Sequence, residues 1–187
     1  MYIRTLKSDL LLLLTALIWG FAFVAQRAGM AYVGPFTFNG IRFVLGGISL
    51  LPLLVLTLKS ESAPWTASLK ILIFKGGLTG VVLFIAASLQ QIGIVYTTAG
   101  KAGFITGLYV VLVPIWGIFL KQRTALGTWL GAVIAAVGLY LLSVTETFSI
   151  AFGDLLELIG AFFWAGHVLM ISRFSRQIHP LKLAFVQ

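Results

Sequence analysis

Few residues in this chain could do chemistry, and they stand out because their surroundings are apolar. Arg42, Lys101 and Glu157 fall at or within runs long enough to cross a bilayer, as do Asn39, His167, Trp19 and Trp164. At about 1.5 Å of rise per residue from Pro35, Arg42 lies roughly 10 Å below the end of its run. An arginine left unpaired at that depth costs several kcal/mol, so it must face the bundle interior, water or a carboxylate. Glu157 enters its own run from the same side, about one turn deep, and Lys101 opens another run at that end. These three side chains are expected to form one charge cluster at the mouth of a helical bundle. The cluster would either hold an anionic or zwitterionic solute or serve as a structural ion pair.

Asn39 stands one turn before Arg42 on the same helical face and can extend its hydrogen bonding. Gln26, Gln90, Gln91, Tyr96 and Tyr109 are further polar groups in the runs, and Gln90 and Gln91 are expected to be hydrated at an interface. His167 shares a face with Trp164, one turn away; it can relay protons or be a satisfied buried polar group. Trp19 and Trp164 lie about ten residues into their runs, hence near mid-membrane. Trp65 and Trp129 sit near run ends, where interfacial anchoring accounts for them. Hydrolytic, nucleotide-binding and zinc-protease motifs are missing. With two histidines and no cysteine there is no metal cluster, disulfide or thiol nucleophile to build. Neither an enzyme nor a cofactor is expected.

The elements that must position these residues are membrane spans. Of 187 residues, 60% are hydrophobic and 10% charged, with a mean hydropathy of +1.07, which excludes an ordinary soluble domain. Six apolar runs, near 10–28, 36–58, 69–89, 100–120, 126–144 and 155–171, approach the roughly 20 residues that a helix needs to cross about 30 Å of hydrocarbon. Their apolar character is continuous and does not alternate, so helices are expected rather than a barrel. The expected fold class is all-α, a polytopic helical membrane protein. The pairs Gly76/Gly80, Gly103/Gly107 and Gly127/Gly131 are expected to let helix backbones approach closely. Pro114 is expected to kink its span near 110–114. Lys75 is expected to snorkel to the interface.

The net charge of +8 reads as orientation rather than as nucleic-acid binding. With the N-terminus cytoplasmic, Arg4, Lys7, Lys59, Lys70, Lys75, Lys121, Arg123, Arg173, Arg176 and Lys182 fall on the inner side, while Glu146 and Asp154 flank an outer loop. The segment 8–19 returns as 153–164, pairing Asp9 with Asp154 and Trp19 with Trp164, and the same offset pairs Pro35 with Pro180. Five spans separate the copies, so the second is inverted, a construction common in secondary transporters. The first run is too long for the hydrophobic part of a signal peptide and is read as retained.

Ile18-Trp19-Gly20-Phe21, Pro35 and Gly40-Ile41-Arg42-Phe43 are followed by Thr97-Thr98-Ala99-Gly100, Tyr109-x4-Pro114 and Gly127-x3-Gly131-x6-Gly138, then by Trp164 and Pro180. In that order and spacing the chain resembles the EamA-like transporters of the drug/metabolite transporter superfamily. The resemblance implies a ten-helix carrier of two five-helix units in the bacterial inner (cell) membrane, both termini cytoplasmic. Such carriers move small metabolites, amino acids among them, coupled to protons or to a counter-solute. The family pattern would put Trp19 and Arg42 near the central pathway and fixes no substrate. Residues 1–145 then read as the first unit, and 146–187 as the start of the second: one span plus the beginning of the next.

On that reading the chain is a fragment or a truncated frame of a secondary transporter, and its sixth span would expose polar groups to lipid. Two alternatives stand beside it: a small subunit that works only as a homo- or hetero-oligomer, and a non-transporting membrane assembly protein. Sequencing the coding DNA past Gln187 checks the first expectation. About 110–120 further residues with four more spans should follow, whereas an immediate natural stop favours the subunit or a decayed gene.

Overall fold

A run of apolar residues surrounded by hydrocarbon has no outside partner for its amides and carbonyls, so each run closes its backbone bonds within a helix. The computed structural model describes residues 2–60, 68–120, 125–143 and 151–187. Trp65, Lys121, Arg123 and Glu146, used above for anchoring and orientation, lie outside them. Among the described residues eight helices follow in order: α1 (Tyr2–Gly29), α2 (Pro35–Ser60), α3 (Leu69–Tyr96), α4 (Ala99–Gly107), α5 (Tyr109–Phe119), α6 (Leu126–Ser143), α7 (Phe152–Phe174) and α8 (Pro180–Val186). α1, α2, α3, α7 and the α4–α5 pair taken together are each long and apolar enough to cross a membrane. The protein is therefore an all-α, polytopic helical membrane protein.

The fourth span is broken, though not where proline alone would break it. The interruption falls at Leu108, whose amide donates to Ile105 O at 3.2 Å in a tightened turn. Pro114 lies inside α5 and removes a donor there. Gly107, a poor helix former, ends α4 first, so the bend sits a turn ahead of the proline.

α7 is central. Its start meets the end of α3 at Gly153 and Gly93, and its far end meets the start of α3 where Lys75 donates to Gln177 Oε1 and lies 5.1 Å over the Phe174 ring. The two helices are therefore antiparallel. Arg27, near the end of α1, donates to Val95 O near the end of α3 at 2.9 Å, so α1 and α3 run in parallel and α7 runs opposite to α1. The sixth span was expected to expose its polar groups; instead Asp154, Glu157 and His167 are all buried. By contrast, α1 and α2 leave Leu11, Phe21, Val44 and Leu45 on an apolar exterior suited to lipid.

Close approach is made by glycines outside two of the three expected pairs. A Cβ on Gly153 would stand 2.5 Å from Gly93 O and 2.9 Å from the carbonyl carbon of Tyr96, and one on Gly93 would stand 3.0 Å from Gly153 O. Gly160 lies over Leu89 and Ala86 O of the same helix. Of the expected pairs, Gly76 and Gly80 do serve as contacts, receiving Val186 and Gln187 at the end of α8. Gly127 and Gly131 meet nothing within 4 Å, and Gly103 meets only Phe23, at 3.8 Å. Gly153→Ala should therefore destabilise the bundle by about 1–3 kcal/mol, because backbone cannot yield as a side chain tip does. Gly131→Ala should change stability by less than about 0.5 kcal/mol. Reversible unfolding in mixed micelles measures both.

Candidate functional site

The polar residues resolve into three groups down the bundle. The outermost is built at the corner between α3 and α4. Thr97 ends α3 and donates to Asp154 Oδ1 at 2.5 Å; Thr98 caps α4 by accepting from the Lys101 amide at 3.2 Å. Asp154 Oδ2 accepts from the Ala151 amide at 2.9 Å and pairs with Lys101 Nζ at 3.4 Å. A carboxylate in the first turn of α7 also complements the helix dipole. The Thr97-Thr98 pair and the recurring aspartate thus pin a corner.

One turn deeper, Glu157 is completely buried. Its Oε2 accepts from Thr106 Oγ1 at 2.8 Å, while Oε1 has no hydrogen-bond partner among the described residues. The expected Arg42/Lys101/Glu157 cluster is therefore not formed: Lys101 goes to Asp154, Glu157 to Thr106, and Arg42 elsewhere. The helical rotation between Asp154 and Glu157 lets α4 reach the first with a lysine and the second with a threonine.

The third group joins five helices. Arg42 Nη1 on α2 donates to Gln26 Oε1 on α1 at 2.7 Å, and Gln90 Nε2 on α3 donates to the same oxygen at 3.2 Å. Trp164 Nε1 on α7 donates to Gln90 Oε1 at 3.0 Å. The Trp164 ring stands edge-on to His167, whose Nε2 lies 3.2 Å from Gln187 Oε1 beyond α8. Trp19 packs against Trp164 at 6.2 Å and Tyr109 at 5.6 Å between ring centroids. A cleft of about 350 Å³ opens beside Trp19 between α1 and α4, with Gly20, Phe23, Gly103 and Thr106 in its walls. A larger cleft, about 590 Å³, is lined by Trp116, Phe162, Phe163 and Met170 with Arg173 as its one charge, and lies apart from these groups.

Of the expected site residues, Trp19, Arg42, Trp164 and His167 are brought into this one network. Asn39 is not: it donates to Ala87 O at 3.0 Å, and its Oδ1 has no partner among the described residues. Gln90 and Gln91, expected to be hydrated, are instead buried within the bundle, 2% and 0% exposed. Gln26, Gln90 and Thr106 are what the sequence left unranked. A glutamine inside an apolar run was the available signal for the first two, and Thr106 gave none.

Charged and amide side chains that meet inside a helical membrane bundle are costly there and mark it as a polytopic membrane protein with a candidate site in its interior. The chain belongs to the EamA-like transporter family, whose sequence model matches residues 6–144. It is 37% identical over 192 residues to an uncharacterized transporter of Archaeoglobus fulgidus, covering 99% of this chain and 55% of that one. A second uncharacterized transporter of the same organism is 30% identical over 179 residues, covering 89% of this chain and 58% of its own length. The chain spans about half the length of the curated relatives it matches. No solved structure matches it.

The network predicts an energetic coupling. Gln26→Leu takes away the hydrogen-bond partner of Arg42, and its effect should not add to that of Arg42→Leu. A double-mutant cycle in micelles should return about 1 kcal/mol between the two sites; strict additivity would separate them.

Proposed function

We propose that this chain is a secondary transporter, or part of one, that moves small metabolites such as amino acids across the cell membrane. Residues 1–145 form a first five-helix unit, and residues 146–187 open a second, inverted one. The opposite directions of α1 and α7, which carry the two copies of the Asp…Trp segment, support that division. The N-terminus is cytoplasmic, in the inner membrane if the cell is bacterial. Lys75, Arg173, Arg176 and Lys182 gather at one end of the bundle, as the inner end of such a protein requires.

The observation that carries the reading is the partner of Arg42. Two accounts were open for this half-buried cation: a structural ion pair or a place for an anionic group. Among the described residues it is held by the neutral oxygen of Gln26 and lies 5.2 Å from the Phe43 ring, with no carboxylate in an ion pair with it. Its charge is oriented but not neutralised, and a solute carboxylate would complete it. Trp19 and Trp164 supply the apolar wall, and His167 and Asn39 lie along the same pathway. Lys101 belongs to the corner that shapes its mouth, and a proton or a counter-solute drives the exchange.

Uptake of labelled amino acids and small organic anions into vesicles containing the chain tests this. At least one should enter above protein-free vesicles. Arg42→Leu should lower its affinity about thirtyfold, the equivalent of about 2 kcal/mol from one charge-assisted contact. A loss confined to the amount of folded protein, with affinity unchanged, would sink the assignment.

A further inference from the structure

Glu157 has no part in holding the corner or the Arg42 network, yet it is among the most deeply buried side chains of the molecule. Its surroundings are tight: Gly93 presents bare backbone to it, such that a Cβ there would lie 3.1 Å from both Cγ and Oε1. An ionised carboxyl in this position would leave one buried anionic oxygen with no donor among the described residues, a state that costs several kcal/mol in an apolar interior. A carboxyl carrying its proton on Oε2 fits the same space. Oε2–H then donates to Thr106 Oγ1, and Oε1 is a neutral carbonyl oxygen, far cheaper to leave bare. A hydroxyl can donate to the ionised form or accept from the protonated one without moving, so Thr106 serves both.

Thr106 also lines the cleft between α1 and α4 that Trp19 borders. The same side chain thus hydrogen-bonds the buried acid and forms part of the cleft wall. We infer that Glu157 is a proton-binding site served from this cleft through Thr106. Uptake places the proton on Oε2 and keeps α4 packed on α7. Release to water in the cleft leaves a carboxylate that needs hydration, so α4 and α7 must part to admit it. This deepens the transport reading and rests on it for the link to solute movement: it names the residue that carries the coupling proton.

The charged and titratable groups around Glu157 leave this role to it. Asp154, one turn outward on α7, is paired with Lys101 of α4 and held by Thr97. His167 lies toward the other end of α7, against Gln187. Tyr109 of α5 packs on Trp19, and Arg42 of α2 is bound to Gln26. On α3 Lys75 sits at the opposite end, with Gln177, and at the near end α1 presents Arg27, tied to Val95 O.

Infrared difference spectra of the chain in lipid vesicles, with the buffer taken from about pH 9 to about pH 5, read the proton directly. One protonated-carboxyl C=O band should grow, vanish in Glu157→Gln and persist in Asp154→Asn. In Thr106→Val it should remain but shift in frequency and midpoint, because its hydrogen bond is gone; this variant keeps the test open if Glu157→Gln fails to fold. A band that survives Glu157→Gln, the absence of any titrating band, or a band erased by sodium chloride at fixed pH would each overturn the assignment. The spectra need no solute, so failed uptake of amino acids would refute the transport reading while leaving the proton site in place.

Discussion

The backbone-to-backbone approach of α3 and α7 at Gly93 and Gly153 is the constraint from which the rest follows. In lipid no hydrophobic force drives helices together, so their association depends on how closely their surfaces fit. Two glycines facing each other remove the side chains that would hold the helices apart, and Gly160 continues the contact about two turns further in. With α7 laid along α3, polar side chains of α7 are turned against protein, Asp154 and Glu157 buried and Trp164 half-buried. Asp154 then meets the α3–α4 corner, Glu157 meets Thr106, and Trp164 meets Gln90. A side chain at Gly153 would push all three contacts apart together.

The charges of the bundle are handled in two different ways. At the corner, Asp154 has Lys101, Thr97 and a backbone amide around it, and every partner is supplied by the fold. Further in, compensation is incomplete: Arg42 has an amide oxygen in place of a carboxylate, and Glu157 keeps one oxygen bare. Such residues cost stability in a membrane interior and are retained where they act on something that comes and goes. In the proposed reading, an anionic group completes Arg42 and a proton completes Glu157. The Trp19–Trp164 contact and the cleft beside it lie between the two.

Five of the six expected spans, their helical nature and the repeat of the Asp…Trp segment were legible because each depends on composition or on spacing along one helix; among the described residues the run near 126–144 gives a shorter apolar stretch. The partners were not legible. Arg42, Lys101 and Glu157 lie toward the same end of their runs, and that alone suggested one cluster. Which groups meet at a given depth depends on how each helix is rotated about its axis, and that is set by packing between helices far apart in sequence. Gln90 and Gln91 were misplaced for the same reason: nearness to the end of a span does not reveal that α1, α2 and α7 cover it. The glycine pairs show the limit most sharply. Four-residue spacing selects a stripe on a helix, but Gly127 and Gly131 face open space while Gly93 and Gly153, on different helices, make the contact.

By itself, then, the sequence determined that this protein crosses the membrane as helices, which segment recurs, and which side chains are too costly there to be incidental. These follow from the transfer of groups into hydrocarbon, a property of each residue and its near neighbours. The tertiary structure alone decided that Asp154 takes the lysine, that Glu157 is left with a hydroxyl and a bare oxygen, and that Arg42 is held by an amide. Those outcomes depend on interhelical rotation and distance, fixed where two glycines let backbones touch, and no pattern within a single span encodes them.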